Sequence, residues 1–325
     1  MKIAVVGATG LIGKEIIREI IISLGHDVEI KALASERSAG EILVVEGREF
    51  IVQVLSQDSF DNCQYAFFSA GGKVSEKFVP YAMQSGAFVI DNTSHFRMHS
   101  DVPLVAASLN DDVIADSKLV SNPNCSTIQL VHVINLLREI SKVIAINVVS
   151  MQSISGAGQQ ALNRLKDATL HALLTDQYHH LAFDCETHID QWMDNDYCKE
   201  EWKIANELPK ILNENIPLQA TTIRIPVLYG HTQSVTVDFN VEIDRDQIEQ
   251  VLHQSDLITY HNPREKLTPM QQAKGNSKIH VGRLRAMSPR SKVWNFMVLS
   301  DNILRGGASN AVEIMMNLEK LTHGQ

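Results

Sequence analysis

The sequence predicts an α/β protein with two domains, a Rossmann-like nucleotide-binding domain built on a parallel sheet and an α+β domain built on a mixed sheet. Three observations predict this fold. In residues 1–120, short apolar strand patterns alternate with helical patterns, which is typical of βαβ units. After residue 140 the apolar strand patterns are longer and the helical patterns fewer, which indicates a mixed or antiparallel sheet. A glycine-rich loop follows the first strand pattern directly, as in dinucleotide-binding domains.

The predicted elements of the first domain begin with a buried strand at Lys2–Val6 and a helix at Leu11–Leu24, where Ile and Leu recur at helical spacing. Further strand patterns lie at 28–34, 65–70 and 88–90, and a helical pattern lies at 73–85. In the second domain we predict strands at Val143–Gln152, 224–228, 234–242 and 293–300. A last helical pattern, from 308 to about 321, could return to pack on the first domain.

Composition narrows the function classes. The 325 residues are 44% hydrophobic and 21% charged, so the chain can bury a normal core. The net charge is −9 and no basic cluster stands out, which argues against a nucleic-acid partner. No stretch approaches the roughly 20 apolar residues of a membrane span, so we expect no membrane partner. The four cysteines form no CxxC pair, which favours reduced thiols and a cytoplasmic location.

The glycine loop, GATGLIG at 7–13, lies between the first strand and the first helix. Glycines there permit a tight turn and let backbone N–H groups approach a pyrophosphate at the helix N-terminus. The alternative is an ordinary βα turn. The second strand is followed by Ser35, Glu36, Arg37 and Ser38. A carboxylate there suits the ribose of NAD and an arginine suits a 2′-phosphate; the two hydroxyls beside Arg37 favour NADP.

Cys125 is the candidate nucleophile. It stands in SNPNCST, residues 121–127, where Pro123 holds the preceding residue in an extended geometry and a helical pattern begins from Thr127. A thiol at a helix start is close to free backbone donors and the positive end of the helix dipole, which favours the reactive thiolate. The alternative is a buried core cysteine, the usual fate of a free thiol. Polar neighbours on both sides argue against it, and Cys63, Cys185 and Cys198 lack that context.

A thiolate that attacks a carbonyl needs an acid–base partner, for which thirteen histidines compete. His231 follows a glycine at the end of RIPVLYGH, with Arg224 seven residues earlier on what we interpret as the same strand. The spacing alone favours His231 only slightly over the other histidines as the acid–base group. A second cluster combines His179, His180 and His188 with Asp184 and Cys185, but its spacing matches no compact metal motif. We therefore expect no metal.

These motifs together resemble the aspartate-semialdehyde dehydrogenase family over nearly the whole chain. NPNCST (122–127) and RIPVLYGHT (224–232), in this order, are the most specific pair. The matching segments are GATGLIG (7–13), SERSAG (35–40), FFSAGG (67–72), DNTSHFR (91–97), NPNCST, QSISGAG (152–158), EEWK (200–203), RIPVLYGHT, VGRLR (281–285) and SDNILRGGASNA (300–311).

The resemblance implies a role for each matching residue. Cys125 is similar to the acylated nucleophile, and His231 to the acid–base group. Gln152 resembles the residue that orients the substrate beside the thiol, Arg224 the clamp on the substrate carboxylate, and Glu200 a contact to the substrate's polar end. Arg97, Asn124 and Lys203 resemble the phosphate-binding set. The cofactor site would comprise Gly7, Thr9, Gly10, Leu11, Ile12, Ser35, Arg37, Ser38 and Asn302.

The same resemblance implies an NADP-binding domain at 1–121 and 306–325, a catalytic and dimerisation domain at 122–305, and a homodimer. The implied reaction is the NADPH-dependent reductive dephosphorylation of aspartyl phosphate to aspartate semialdehyde through a thioester on Cys125, in the route to lysine, threonine and methionine. The alternatives are a related acyl-phosphate reductase of the N-acetyl-glutamyl-phosphate type and a non-catalytic paralogue. Departures from the family pattern fall at His95, 106–110, 208–209 and 286–287; we expect Pro209 to interrupt a helix that usually continues.

Overall fold

A computed structural model describes residues 1–115, 117–178 and 181–323. The chain divides into two compact units, one formed by Met1–Asn124 with Gly307–Gln325 and the other by Cys125–Gly306. The predicted domain boundaries fell at 121/122 and 305/306. In the part of the chain that the structure describes, no helix is long and apolar enough to cross a membrane.

The first unit contains a six-stranded parallel sheet in the order β5-β2-β1-β6-β7-β8. Its elements, in chain order, are β1 (Lys2–Val6), α1 (Leu11–Leu24), β2 (Glu29–Ala34), β3 (Ile42–Val45), β4 (Arg48–Ile51), β5 (Gln53–Val54), β6 (Tyr65–Phe68), α2 (Gly72–Gln84), β7 (Phe88–Asp91) and β8 (Leu119–Ser121). Strands β3 and β4 form a separate antiparallel pair. The predicted parallel sheet is confirmed.

The second unit contains a six-stranded mixed sheet in the order β10-β9-β11-β14-β13-β12. Its elements are α3 (Cys125–Ile140), β9 (Val143–Gln152), α4 (Gln159–Thr175), α5 (Lys199–Leu212), β10 (Leu218–Arg224), β11 (His231–Asp244), α6 (Arg245–His253), β12 (Ile258–Tyr260), β13 (Ile279–Arg285) and β14 (Arg290–Ser300). Pairs β9–β10 and β12–β13 are parallel, whereas β11 is antiparallel to both β9 and β14. The predicted mixed sheet is thus confirmed. The sequence pattern indicated few helices in this domain, whereas its described residues form α3, α4, α5 and α6.

The last helix, α7 (Asn310–His323), belongs to the first unit, as its apolar pattern suggested. The packing around strand β1 shows which face of the parallel sheet α7 covers. Side chains Ile3 and Val5 join the core cluster that includes residues of α1 and α7, whereas Ala4 and Val6 join the cluster that includes residues of α2. Because successive strand residues point to opposite faces, the sheet is covered on both sides, which explains its continuous apolar strands.

Two predictions about local structure were wrong. The apolar run 224–228 is not a strand, because β10 ends at Arg224 and His231 begins β11. Pro226 offers no N–H to a ladder, and Gly230 has φ +84°, so the chain turns between the two strands. Pro209 does not end α5, which continues to Leu212. The buried side chains Leu208, Ile211 and Leu212 stabilise this turn, against a cost of about 3 kcal/mol for proline within a helix.

Candidate active site

The thiol of Cys125 lies at the first residue of α3, half-buried, with its Sγ 3.3 Å from Nε2 of His231. Pro123 disfavours helical geometry at Asn122, so α3 cannot extend back through that residue. His231 is fully buried at the start of β11. The fold therefore brings the predicted nucleophile and its predicted partner into contact, although they are 106 positions apart in the sequence.

The hydrogen bonds of His231 determine which ring nitrogen carries the proton. The backbone N–H of Ser153 donates to Nδ1 over 3.1 Å. A backbone N–H can only donate, so Nδ1 accepts and the proton of the neutral ring is on Nε2. The Nε2–H group therefore faces the sulfur of Cys125. In this tautomer Nε2 donates toward the sulfur of Cys125 and offers no lone pair that could accept the thiol proton.

Burial lowers the pKa of His231 to about 3, and the positive charge of Arg224 acts in the same direction. The ring is thus neutral at physiological pH. Arg224, at the end of β10, donates from Nη1 to the carbonyl of Ser153 over 2.8 Å. A β-carbon placed on Gly156 would lie 3.0 Å from Nη1 of Arg224 and 3.2 Å from Cε1 of His231. Gly156 therefore lets both groups stand beside the same stretch of backbone.

Asn302 supports the same network. The backbone N–H of Gly230 donates to its Oδ1, and so do the hydroxyls of Ser153 and Ser155, over 3.0–3.1 Å. Its Nδ2 is buried and makes no hydrogen bond to any of the described residues. The resemblance placed Asn302 in the cofactor set. Its oxygen orders the loop that holds His231, and its amide N–H group remains for a ligand, so the cofactor role stays a prediction.

A chain of polar groups leads from the thiol to a lysine. Gln152, the last residue of β9, donates from Nε2 to Ser126 Oγ over 2.9 Å and to Glu200 Oε1 over 3.1 Å. The other carboxylate oxygen of Glu200 accepts from Lys203 Nζ over 2.9 Å, one turn along α5. Burial lowers the pKa of Lys203, but Glu200 and Asp190 outweigh it and the net shift is upward, so the ammonium stays charged.

Two further predicted residues belong to the first unit. Arg97 is buried and donates from Nη2 to the carbonyl of Asn92 over 2.8 Å. Asn92 follows β7, whose last residue, Asp91, is buried and accepts hydrogen bonds from Ser75 and Thr93. Asn124 is the last residue before Cys125 and is also buried.

The glycine loop borders a cleft of about 550 Å³ in the first unit. Six predicted cofactor residues line it, namely Gly7, Thr9, Gly10, Ser35, Arg37 and Ser38. Leu11 and Ile12 are the first residues of α1 and do not line this cleft. A β-carbon on Gly13 would lie 2.1 Å from the carbonyl oxygen of Gly7, so only glycine permits this turn. Exposed backbone at a helix N-terminus, with Arg37 nearby, fits a phosphate-bearing dinucleotide.

Comparison with known proteins agrees with this geometry. Residues 2–117 match the family model "Semialdehyde dehydrogenase, NAD binding domain", and residues 135–305 match "Semialdehyde dehydrogenase, dimerisation domain". Aspartate-semialdehyde dehydrogenase of Campylobacter jejuni is 39% identical over 96% of both chains, and aspartate-semialdehyde dehydrogenase 2 of Vibrio cholerae is 37% identical over the same shares. The chain belongs to the aspartate-semialdehyde dehydrogenase family. Members of this family are oxidoreductases that contain an NAD(P)-binding domain.

Solved structures of this family share the fold. The crystal structure of aspartate semialdehyde dehydrogenase II of Vibrio cholerae, complexed with ASA, is 36% identical with a TM-score of 0.91 and covers 98% of both chains. A structure from Candida albicans with NADP is 22% identical with a TM-score of 0.77, covers 98% of both chains and shares the fold.

Sequence reasoning missed three residues that contact the predicted family set. Ser153 fixes the tautomer of His231, Ser126 links Gln152 to α3, and Asp190 pairs with Lys203 over 2.9 Å. Ser126 and Ser153 lie inside the quoted motifs, directly after Cys125 and Gln152, so proximity could have suggested them; Asp190 lies in no such motif. The described residues contain no group of three or more metal-ligating side chains. His179 and His180 lie outside the described residues, and His188 stacks on Trp192.

Proposed function

We propose that this protein is an NADP-dependent aspartate-semialdehyde dehydrogenase that reduces aspartyl phosphate to aspartate semialdehyde. The observation that carries the proposal is the contact of the Cys125 thiol, at the start of α3, with the Nε2–H of a buried neutral histidine. A thiolate stabilised by this donor is suited to acyl transfer. The names of the relatives at 37–39% identity support the substrate class.

In this proposal the Cys125 thiolate attacks the acyl carbon of aspartyl phosphate. The new C–S bond replaces the C–O bond to phosphate, which leaves with that electron pair and is protonated from solvent. A thioester keeps its carbonyl electrophilic, which is the chemical reason for a cysteine. NADPH, when bound, supplies the hydride that reduces this carbonyl. The Nε2–H of His231 then stands beside the sulfur that leaves as a thiolate, and it stabilises that charge.

The substrate would be held by cations and amides with separate roles. Arg224 has the planar fork that suits the substrate carboxylate, and it is fixed by Ser153 beside His231. Lys203 would bind the phosphate, and the family resemblance assigns the same role to Arg97 and Asn124. Gln152 and Glu200 are hydrogen-bonded between Ser126 and Lys203, a position that suits contacts to the substrate's polar end.

The cofactor preference rests on Ser35, Arg37 and Ser38, which line the cleft beside the glycine loop. Only NADP offers a 2′-phosphate to these groups. Replacing Arg37 by Ala should therefore weaken NADP binding by about one to two decades and NAD binding much less. Titration of both cofactors measures this, with Lys14→Ala as the control, at an exposed lysine of α1 that does not line the cleft. Equal losses for both cofactors would show that Arg37 does not bind the 2′-phosphate.

The assembly, pathway and location belong to the same proposal. A homodimer through the second unit is supported by the family model of its dimerisation domain. The reaction would serve lysine, threonine and methionine synthesis. Four free cysteines suit a cytoplasmic enzyme.

The proposal is tested by phosphate-dependent NADP reduction with aspartate semialdehyde as substrate. We expect robust turnover that requires phosphate. Arg224→Lys keeps the charge but loses the fork, so it should impair use of aspartate semialdehyde at every phosphate concentration. Lys203→Ala should chiefly raise the phosphate requirement, by about one to two decades in apparent affinity. A preference of the wild-type enzyme for N-acetyl-glutamate semialdehyde would replace this function by that of the related reductase.

A further inference from the structure

The Lys203 ammonium is shared between two carboxylates. Its Nζ donates to Glu200 Oε2 and to Asp190 Oδ2, each over 2.9 Å. The lysine and Glu200 side chains are largely buried, with 13% and 8% exposed, whereas Asp190 is 34% exposed. The three groups together carry a net charge of −1 at neutral pH. A site that binds a phosphate dianion is expected to offer a free cation. One carboxylate would neutralise Lys203, so the presence of a second one needs an explanation.

Glu200 is the fixed carboxylate of the pair. It lies on α5 one turn before Lys203, and its second oxygen accepts from the amide of Gln152 over 3.1 Å. Gln152 is in turn hydrogen-bonded to Ser126 beside the reactive cysteine. Displacement of Glu200 would therefore disturb hydrogen bonds that reach Ser126, the residue after the cysteine.

Asp190 is held differently, by the backbone of the segment 184–198 before α5. Glu186 in this segment exchanges backbone hydrogen bonds with Arg224 over 2.9 and 3.0 Å, and the N–H of Lys199 donates to the carbonyl of Gln191. Asp190 itself has φ +74°, a left-handed conformation that aspartate tolerates better than most residues, and its Oδ1 accepts the N–H of Gln191. Among the described residues, Lys203 is the only side chain hydrogen-bonded to Asp190, so Asp190 can release the ammonium without breaking another side-chain bond.

We propose that Asp190 is an internal competitor of the substrate phosphate for Lys203. Asp190 is paired with the lysine when no phosphate is bound, and its hydrogen bond to the lysine breaks when phosphate binds. Glu200 keeps the lysine in place throughout. This inference rests on the proposed phosphate role of Lys203. Asp190 is a positioning residue that lowers phosphate affinity, which helps the enzyme release phosphate as the product of the reductive direction.

The test uses Asp190→Asn, which keeps the shape of the side chain and removes its charge. We expect the KM for phosphate, in the oxidation of aspartate semialdehyde, to fall about two- to fivefold, as befits loss of one competing charge pair. The KM for aspartate semialdehyde should stay unchanged. In the reductive direction, phosphate should become a correspondingly stronger product inhibitor. Asp190→Glu retains the charge, so its KM for phosphate should stay close to the wild-type value. Asp194→Asn, at an exposed aspartate of the same segment, should have no effect.

The outcomes separate this inference from the proposed function. A raised KM for phosphate in Asp190→Asn would show that Asp190 only orients Lys203, and an unchanged KM would show no competition; either result overturns the inference. If Lys203→Ala leaves the phosphate KM unchanged, the proposed phosphate contact fails and the inference fails with it. If Lys203→Ala raises that KM while Asp190→Asn does not lower it, the inference alone fails.

Discussion

At the scale of single residues, a backbone N–H decides what His231 contributes. Because Ser153 donates to Nδ1, formation of an imidazolium would place a second proton at a nitrogen that already faces a donor. Burial opposes the same charge. Both effects favour a ring that donates from Nε2 and discourage one that stores a proton from the thiol.

We predict that His231 is the neutral Nε2–H tautomer at pH 7. Nitrogen-15 NMR of histidine-labelled protein, with the His231 signals identified by their loss in His231→Asn, should show a protonated Nε2 and an unprotonated Nδ1. Because the folded-state pKa is lowered to about 3 from 6.5, this pattern should persist as the pH falls below 6.5. An imidazolium signal at pH 7, or a proton on Nδ1, would contradict the assignment.

Cys125 should be the only cysteine that carries acyl chemistry. We predict that Cys125→Ala lowers turnover by about 10⁴-fold or more, as loss of a nucleophile does, while cofactor binding survives. The reason is that the cofactor cleft of the first unit does not include this thiol. Cys185→Ser, at an exposed thiol, is the matched control and should keep full activity. Labelling of Cys63, Cys185 or Cys198 by an alkylating substrate analogue would refute the assignment.

At the scale of elements, helix α5 depends on the carboxylate of Glu201. One oxygen accepts the backbone N–H of Cys198 at the helix start over 2.9 Å, and the other accepts the backbone N–H of Thr222 in β10 over 3.0 Å. A single buried side chain therefore caps α5 and fastens it to the neighbouring strand. This bond matters for the site because α5 carries Glu200 and Lys203.

We predict that Glu201→Ala lowers the free energy of unfolding by roughly 1.5–3 kcal/mol, because it leaves two buried donors without acceptors. Urea denaturation measures this. Glu201→Gln, which retains one acceptor, should lose less, and Lys199→Ala, at an exposed position of the same helix, should stay within about 0.5 kcal/mol of wild type. Equal stability of Glu201→Ala and wild type would show that the cap is dispensable.

At the scale of the whole molecule, the sheet of the second unit has two unlike faces. Gln233, on the buried face of β11, donates to the carbonyl of Ser126 in α3, so the helix lies on that side. Side chains of the opposite face, such as Val149, Ser234 and Met297 in neighbouring strands, remain partly exposed. A partly apolar sheet face in a unit that matches a dimerisation domain fits contact with a second copy of the chain.

We predict that Ser234→Arg dissociates the homodimer, because a buried charge at the centre of a symmetric interface meets its own copy or is left unpaired. Light scattering after size-exclusion chromatography should give the monomer mass of about 36.2 kDa. Asp27→Arg, at an exposed turn of the first unit, should leave the dimer intact. A Ser234→Arg protein that stays dimeric and folded would place the interface elsewhere.

The sequence alone predicted four strands and three helices of the first unit, because each βαβ step is a local pattern. It did not predict the short strands β3, β4, β5 and β8. Helix α1 was predicted at Leu11–Leu24 and lies there. The nucleophile and its histidine were also accessible, since each stands in a short motif whose residue types suit thiol chemistry.

Tertiary structure decided the features that depend on neighbours distant in the sequence. Residues 224–228 have strand composition, yet Pro226 and the bend at Gly230 make them a turn, so Arg224 and His231 stand on two strands instead of one. Helix α5 runs through Pro209 because buried side chains around it hold the turn. The tautomer of His231 and the pairing of Asp190 with Lys203 each depend on one hydrogen bond between segments. Spacing within a motif carries no information about such bonds, because they form only when separate elements pack together.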